Sequence, residues 1–190
     1  EVRGIYFTGP STFTYPCSTL IPGGPMRSVG SLSDNVQGTL DTNGNPLYFW
    51  SRDNGANANF FRSLIVAPRF VQAGYGTTVL YDDHSSETCA YEVSAGVLKL
   101  GGDVPKRDTT IVSGTTCTLG SGKVAVSWLG TLELGCASPF NANATALYVN
   151  SYNQKGSAFG KIAMNGFNAT VNKLYIDGVE QDAGKIVLHI

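Results

Sequence analysis

The chain has 190 residues, 42% of them hydrophobic and only 14% charged, with a formal net charge of −1. That is enough for one domain with a full core. It excludes a strongly basic nucleic-acid or membrane-surface binder, because the basic residues are scattered singly and only Lys106 and Arg107 are adjacent. The polar surface must be built from Gly, Ser, Thr and Asn, which suits an uncharged, hydrogen-bonding ligand better than a polyanion.

In chain order, short β-like runs recur at roughly ten-residue spacing between turn residues, the pattern of a sandwich or barrel. Ile5 and Phe7 alternate with Tyr6 and Thr8 before Gly9-Pro10, so the chain opens directly in a strand pattern, as a processed, mature N-terminus would. A loop from Pro16 to Ser33 follows, containing Cys17. Gln37–Leu40 and Leu47–Trp50 flank Asn43-Gly44, which predicts a hairpin turn. A polar loop, Ser51–Asn59, leads to a buried strand over Phe60–Val66. Thr77–Tyr81 is read as a strand, Asp82–Ser86 as a turn, and Thr88–Val93 and Val97–Leu100 as strands. After a loop at Gly101–Asp108 comes a short strand at Thr110–Val112. Val124, Val126 and Trp128 then alternate with Ala125, Ser127 and Leu129, predicting a half-buried strand with Trp128 on the valine face. Thr131–Leu134, Ala146–Val149 and Lys161–Met164 are further strands. Ile186, Leu188 and Ile190 share a face in the last run, an apolar edge that needs a cover or points to a chain cut from a longer one. No helical periodicity, internal repeat or linker is visible, and no apolar run reaches the eighteen or so residues of a membrane helix. The expectation is one domain, 1–190.

The four cysteines, Cys17, Cys89, Cys117 and Cys136, include no CxxC pair. They read as two disulfides in an oxidising compartment, with buried free thiols as the competing reading. Of the three pairings, Cys117–Cys136 is favoured because the two flank one strand pattern that returns on itself, which leaves Cys17–Cys89.

Signals for chemistry are thin. Gly120-Ser121-Gly122-Lys123 is followed by Val124 and does not complete a phosphate-binding loop. Asp82, Asp83, His84 and Glu87 form the one acidic-histidine cluster, and a turn prefers such residues anyway. His189 alternates with apolar neighbours. No Gly-x-Ser-x-Gly elbow occurs. Glu92 and Glu133 are the best strand-borne carboxylates for a glycoside hydrolase. The expectation is therefore no catalysis, no metal and no cofactor.

A binding surface remains. Sugar recognition combines an aromatic face with fixed polar groups on open loops. Trp50, Arg52, Asp53, Asn54 and Asn57 bring that mix together in one loop; Tyr148, Asn150 and Tyr152 do so in another, and the Tyr75–His84 region is a third. Against this, Trp50 and Trp128 would more often serve as core residues than as ligand platforms.

The opening run Gly4-Ile5-Tyr6-Phe7-Thr8-Gly9-Pro10-Ser11 is similar to the first strand of the N-acetylglucosamine-binding lectin domains at the tips of chaperone–usher fimbriae. Length, low charge and Thr/Ser/Asn/Gly-rich strands resemble the same group. The resemblance implies an elongated immunoglobulin-like β-sandwich, with a jelly-roll-like variant also compatible. It further implies a secreted receptor-binding domain at a bacterial fimbrial tip, binding host glycans or glycoproteins and joined to fibre subunits through a further C-terminal domain, without inserting in a membrane. The competing functions are a structural subunit of a surface fibre and a polysaccharide-acting hydrolase.

Overall fold

The computed structural model describes residues 39–50, 58–105, 111–120, 122–154, 156, 158–181 and 186–188, with the backbone of four short strands nearer the start of the chain. The strands run β1 (Ile5–Phe7), β2 (Thr12–Thr14), β3 (Thr19–Leu20), then β4 (Arg27–Gly30), β5 (Thr39–Asp41), β6 (Leu47–Phe49), then β7 (Asn59–Phe61), β8 (Leu64–Val66), β9 (Arg69–Gln72). Strands that are neighbours in sequence do not pair. Instead β4 pairs β1 and β7, β5 pairs β2 and β8, and β6 pairs β3 and β9, every ladder parallel. Each set of three is thus one coil laid on the coil before it.

The same step continues. The fourth coil is β10 (Thr77–Leu80), β11 (Asp82–His84) and the first half of β12 (Ala90–Leu100). The second half of β12 opens the fifth coil, which carries a hairpin of β13 (Gly102–Pro105) and β14 (Ile111–Thr115) before β15 (Cys117–Leu119) and the first half of β16 (Lys123–Leu134). The second half of β16, a bridge at Phe140 and β17 (Ala146–Val149) form the sixth coil. The seventh is β18 (Lys161–Ala163), β19 (Ala169–Val171) and β20 (Lys173–Ile176), with β21 (Val179–Glu180) and β22 (Ile186–Leu188) pairing back antiparallel on β20 and β19. Successive coils lie about 4.8 Å apart, the spacing of hydrogen-bonded strands.

The all-β expectation holds, with strand layers facing one another across one core. The pairing differs from an immunoglobulin-like sandwich, whose sheets are antiparallel. Among the described residues every ladder between successive coils is parallel, and the antiparallel pairs are β13–β14, β19–β22 and β20–β21. This is the stacking of a parallel β-helix, in which each coil contacts only its neighbours.

Alternation puts one side of the long strands inside, as the burial of β12 illustrates. Leu47, Phe70, Tyr91, Val124 and Leu147 follow one another in register up one inner column. Rings pack within the core: Phe49 meets Phe61 edge-on at 4.9 Å between centroids, and Phe70 lies 5.9 Å from Tyr91. Outside this core, Val104 joins Ala58, Phe60, Val79 and Tyr81 in a second buried cluster. The β13–β14 hairpin thereby covers an apolar patch on the outer side of the coils.

Three local expectations change. Asn43-Gly44 does make a turn, with φ of 53° and 78°. It is the corner of one coil, however, because β5 and β6 pair with other coils and not with each other. Asp82–His84 is a strand, paired in parallel with β15. Trp128 leaves the valine face: Val93 opposes Val126 and Ala95 opposes Leu129, so Ser127 and Trp128 together face Ser94 alone. That bulge reverses the phase of the strand. Val124 and Val126 stay buried while Trp128 turns out to solvent.

Corners require close backbone approach. A Cβ on Gly96, whose φ is 68°, would collide with the carbonyl oxygens of Gly74 and Gly76 in the coil below. Cys89, Cys117 and Cys136 are buried thiols, so the Cys117–Cys136 disulfide is not formed. The two stack at a coil contact, where the Cys117 amide donates to Cys136 Sγ at 3.3 Å. Burial in the core raises all three thiol pKa values, which keeps them protonated and inert. Cys17, the expected partner of Cys89, lies outside the described residues.

Gly96→Ala is expected to destabilise the fold by at least about 2 kcal/mol, through positive φ and backbone collision; urea unfolding monitored by circular dichroism measures it. Cys89, Cys117 and Cys136 should react with Ellman's reagent only when the chain is unfolded. Fast labelling of Cys136 in the native protein would contradict its packing.

Candidate ligand-binding surface

Two constellations of polar and aromatic groups stand out, one buried and one exposed. The buried one is what became of the acidic-histidine cluster. The ladder β2–β5–β8 ends at β8, and β11–β15 forms a separate sheet. At this break the Ile65 amide donates to Glu87 Oε1 at 2.6 Å. The carboxylate therefore stands where a strand carbonyl would otherwise be. Glu87 also accepts from the Tyr91 hydroxyl, and its Oε1 lies 2.7 Å from His84 Nδ1. His84 Nε2 meets the Tyr81 carbonyl at 3.1 Å.

Burial opposes charge on His84, but the hydrogen bond and negative charge of Glu87, helped by the Tyr81 carbonyl and Asp82, outweigh it. The pKa of His84 is held above its ordinary value. A groove of about 310 Å³ runs along the same break, lined by residues of Leu64–Pro68 and Ser86–Thr88. All polar atoms of the cluster are satisfied within it, which fits a structural plug. Among the described residues no group of three His, Cys, Asp or Glu is placed to hold a metal ion.

The hydrolase candidates are also separated. Glu92 pairs with Arg69 at 3.2 Å on the β9–β12 ladder. Glu133 pairs with Lys99 at 2.8 Å on the other half of β12 and β16.

The exposed constellation lies where β16 and β17 leave one side of the coil and turn toward the next. Trp128 and Tyr152, 39% and 46% exposed, meet edge-on at 4.8 Å between centroids. Phe159 is exposed on the same corner loop. On the adjacent outer face Tyr148 stacks flat on its register partner Tyr175, 4.5 Å apart with 6° between ring planes. Lys123 Nζ sits 5.0 Å from the Tyr148 ring centre. Tyr175 donates to Glu180 Oε2 at 2.9 Å.

The loop that carries Tyr152 is held firmly. The Asn150 amide donates to the Val126 carbonyl in the coil below, and the Asn150 carbonyl accepts from Gly160. Asp177 takes both the amide and the hydroxyl of Ser151, each at 2.7 Å. The Gly156 amide donates to the same hydroxyl, and the Tyr152 amide to the Ala158 carbonyl. The result is an aromatic surface, with Lys123 and Glu180 at its edge, on a loop whose described backbone amides are bonded within the protein.

Of the expected site residues, Tyr148, Asn150 and Tyr152 come together here. Trp50 is exposed on an earlier coil, and Arg52, Asp53, Asn54 and Asn57 lie outside the described residues. Sequence reading assigned no ligand role to Trp128 or Tyr175. The signal for Trp128 is a bulge, which periodicity alone does not reveal; that for Tyr175 is its register with Tyr148. No protein-family model, curated protein or solved structure matches this chain, so the functional reading rests on this chemistry.

Replacing Glu87 with Ala should cost about 3–5 kcal/mol, because it leaves His84, Tyr91 and the Ile65 amide without their shared acceptor. His84 binds its proton more tightly folded than unfolded. Its contribution is fully present below the ordinary pKa of about 6.5 and is lost as pH rises through the folded value. Unfolding midpoints measured from pH 6.5 to 8 should therefore fall, and His84→Gln should flatten that slope.

Proposed function

We propose that this chain is a glycan-binding attachment domain whose binding surface is centred on Trp128, Tyr152, Tyr148, Tyr175 and Asn150. The observation that carries the reading is the exposed Trp128–Tyr152 ring pair at a corner of the coil, with the half-buried side chain of Asn150 close by in sequence. Ring faces suit the C–H side of a pyranose, and a side-chain amide suits its hydroxyls. Low overall charge supports an uncharged ligand. The arrangement of Glu92 and Glu133, each ion-paired on its own ladder, gives no support to paired-carboxylate hydrolysis.

The setting that fits is extracellular. A bacterial surface fibre, with host glycans or glycoproteins as receptors and fibre subunits as neighbours, is proposed on the similarity of residues 4–11 alone, since the parallel coil is not the sandwich which that similarity implies.

A mammalian and microbial glycan array with purified protein tests this. A defined set of hits is expected, little changed by salt because no charge pairing drives binding. Trp128→Ala or Tyr152→Ala should weaken them about tenfold, the equivalent of one stacking interaction near 1.4 kcal/mol. A blank array from folded protein would contradict the reading.

A further inference from the structure

We propose that the ligand is a linear glycan laid along the edge of the coil across several rungs, rather than a single terminal sugar; this rests on the glycan-binding reading above. The edge is defined by backbone contacts. The Ala73 amide donates to the Phe49 carbonyl, Val97 to Gly76, and Asn150 to Val126, so the corners of successive coils sit directly on one another. Gly96 packs against the backbone of 74–76, and Gly130 against the Val93 carbonyl.

Aromatic side chains recur along this edge. Tyr75, 75% exposed, stands on the third coil, and Trp128 and Tyr152 on the fifth and sixth. Between them the corner of the fourth coil is Ser94, Ala95 and Gly96, with Ala95 buried. Two coil spacings separate Tyr75 from Trp128, about 10 Å. Tyr75 and Trp128 therefore stand as two raised platforms on either side of a low saddle, and one pyranose ring does not reach both.

The saddle is polar and its charges are matched. Ser94 Oγ donates to Glu92 Oε1 at 3.2 Å, and the Glu92 carboxylate also pairs with Arg69. Such groups exchange hydrogen bonds with hydroxyls and offer no unbalanced cation to a polyanion. A neutral, extended chain with one sugar on each platform and a hydroxyl-rich unit over the saddle matches this relief.

The test uses oligosaccharide ladders of β-1,4-glucan, β-1,4-mannan and chitin, from monosaccharide to octasaccharide, titrated against the protein by calorimetry. Affinity for the bound series should rise at least about tenfold from disaccharide to hexasaccharide and then level off. Tyr75→Ala should weaken hexasaccharide binding about three- to tenfold and leave disaccharide binding unchanged, while Trp128→Ala weakens both. Tyr75 is a surface residue, so its loss leaves the core intact, and circular dichroism checks this. Equal affinity for short and long oligomers, or a Tyr75→Ala variant that binds the hexasaccharide normally, overturns the extended site. Array hits confined to branched terminal epitopes, with every ladder blank, overturn it too while glycan binding stands. Blanks in both experiments remove the glycan reading itself.

Discussion

A parallel ladder obliges each coil to present its amides and carbonyls to the next at a fixed spacing, and the rest of this molecule answers to that demand. Corners must let backbones touch, which is why glycine stands at positions such as Gly96 and Gly130. Inner columns are mostly apolar, and a polar side chain there must find its partners inside the coil: Gln72, buried in register between Phe49 and Val93, donates to the Gly74 and Gly76 carbonyls and accepts from the Thr78 hydroxyl. Where the ladder breaks beside β8, Glu87 supplies the acceptor that the next strand does not, and Tyr91 and His84 complete its hydrogen bonds. The buried Glu87–His84 cluster thus has a structural account in the missing strand contact.

The same constraint builds the outer surface. Outward side chains recur at the coil spacing, so any residue placed on an edge or face has neighbours one level above and below. Tyr148 and Tyr175 stack because they are register partners. Trp128 and Tyr152 meet because successive corners overlie each other. A surface assembled this way is rigid and repeats along one direction, properties suited to an extended ligand. On the proposed reading, binding there would lose little to ordering, since Asp177 ties down Ser151 beside Tyr152.

Much of the strand content was legible in the sequence, and little of the pairing. Alternation in Leu98 and Leu100 or in Val124 and Val126 marks buried positions whatever the partner strand is. Asn43-Gly44 marks a turn, but a hairpin and a coil corner ask the same φ values of those residues, so the sequence does not tell which strands then pair. No repeat is visible because coil lengths differ; the β13–β14 hairpin alone interrupts one coil. The bulge at Ser127-Trp128 is equally silent, and it moved Trp128 from an expected core position to the surface. Composition pointed to Tyr148, Asn150 and Tyr152 because they are close in sequence, and the structure places them next to the Trp128 corner and the Tyr175 stack, which composition does not reveal. Cysteine count misled, since an even number of thiols fits a disulfide framework and a stacked core alike.

Parallel register is the claim on which the edge, the stacked tyrosines and the Glu87 plug all depend. It is tested most directly by paired cysteine substitutions on β12 and β16, cross-linked with dibromobimane, a short thiol reagent that fluoresces when both ends react. Parallel pairing of Val97 with Thr131 and of Lys99 with Glu133 predicts efficient cross-linking of the 97/131 and 99/133 pairs and poor cross-linking of 97/133. Preferential cross-linking of 97/133 and of 99/131 would mean antiparallel strands and would contradict the coil.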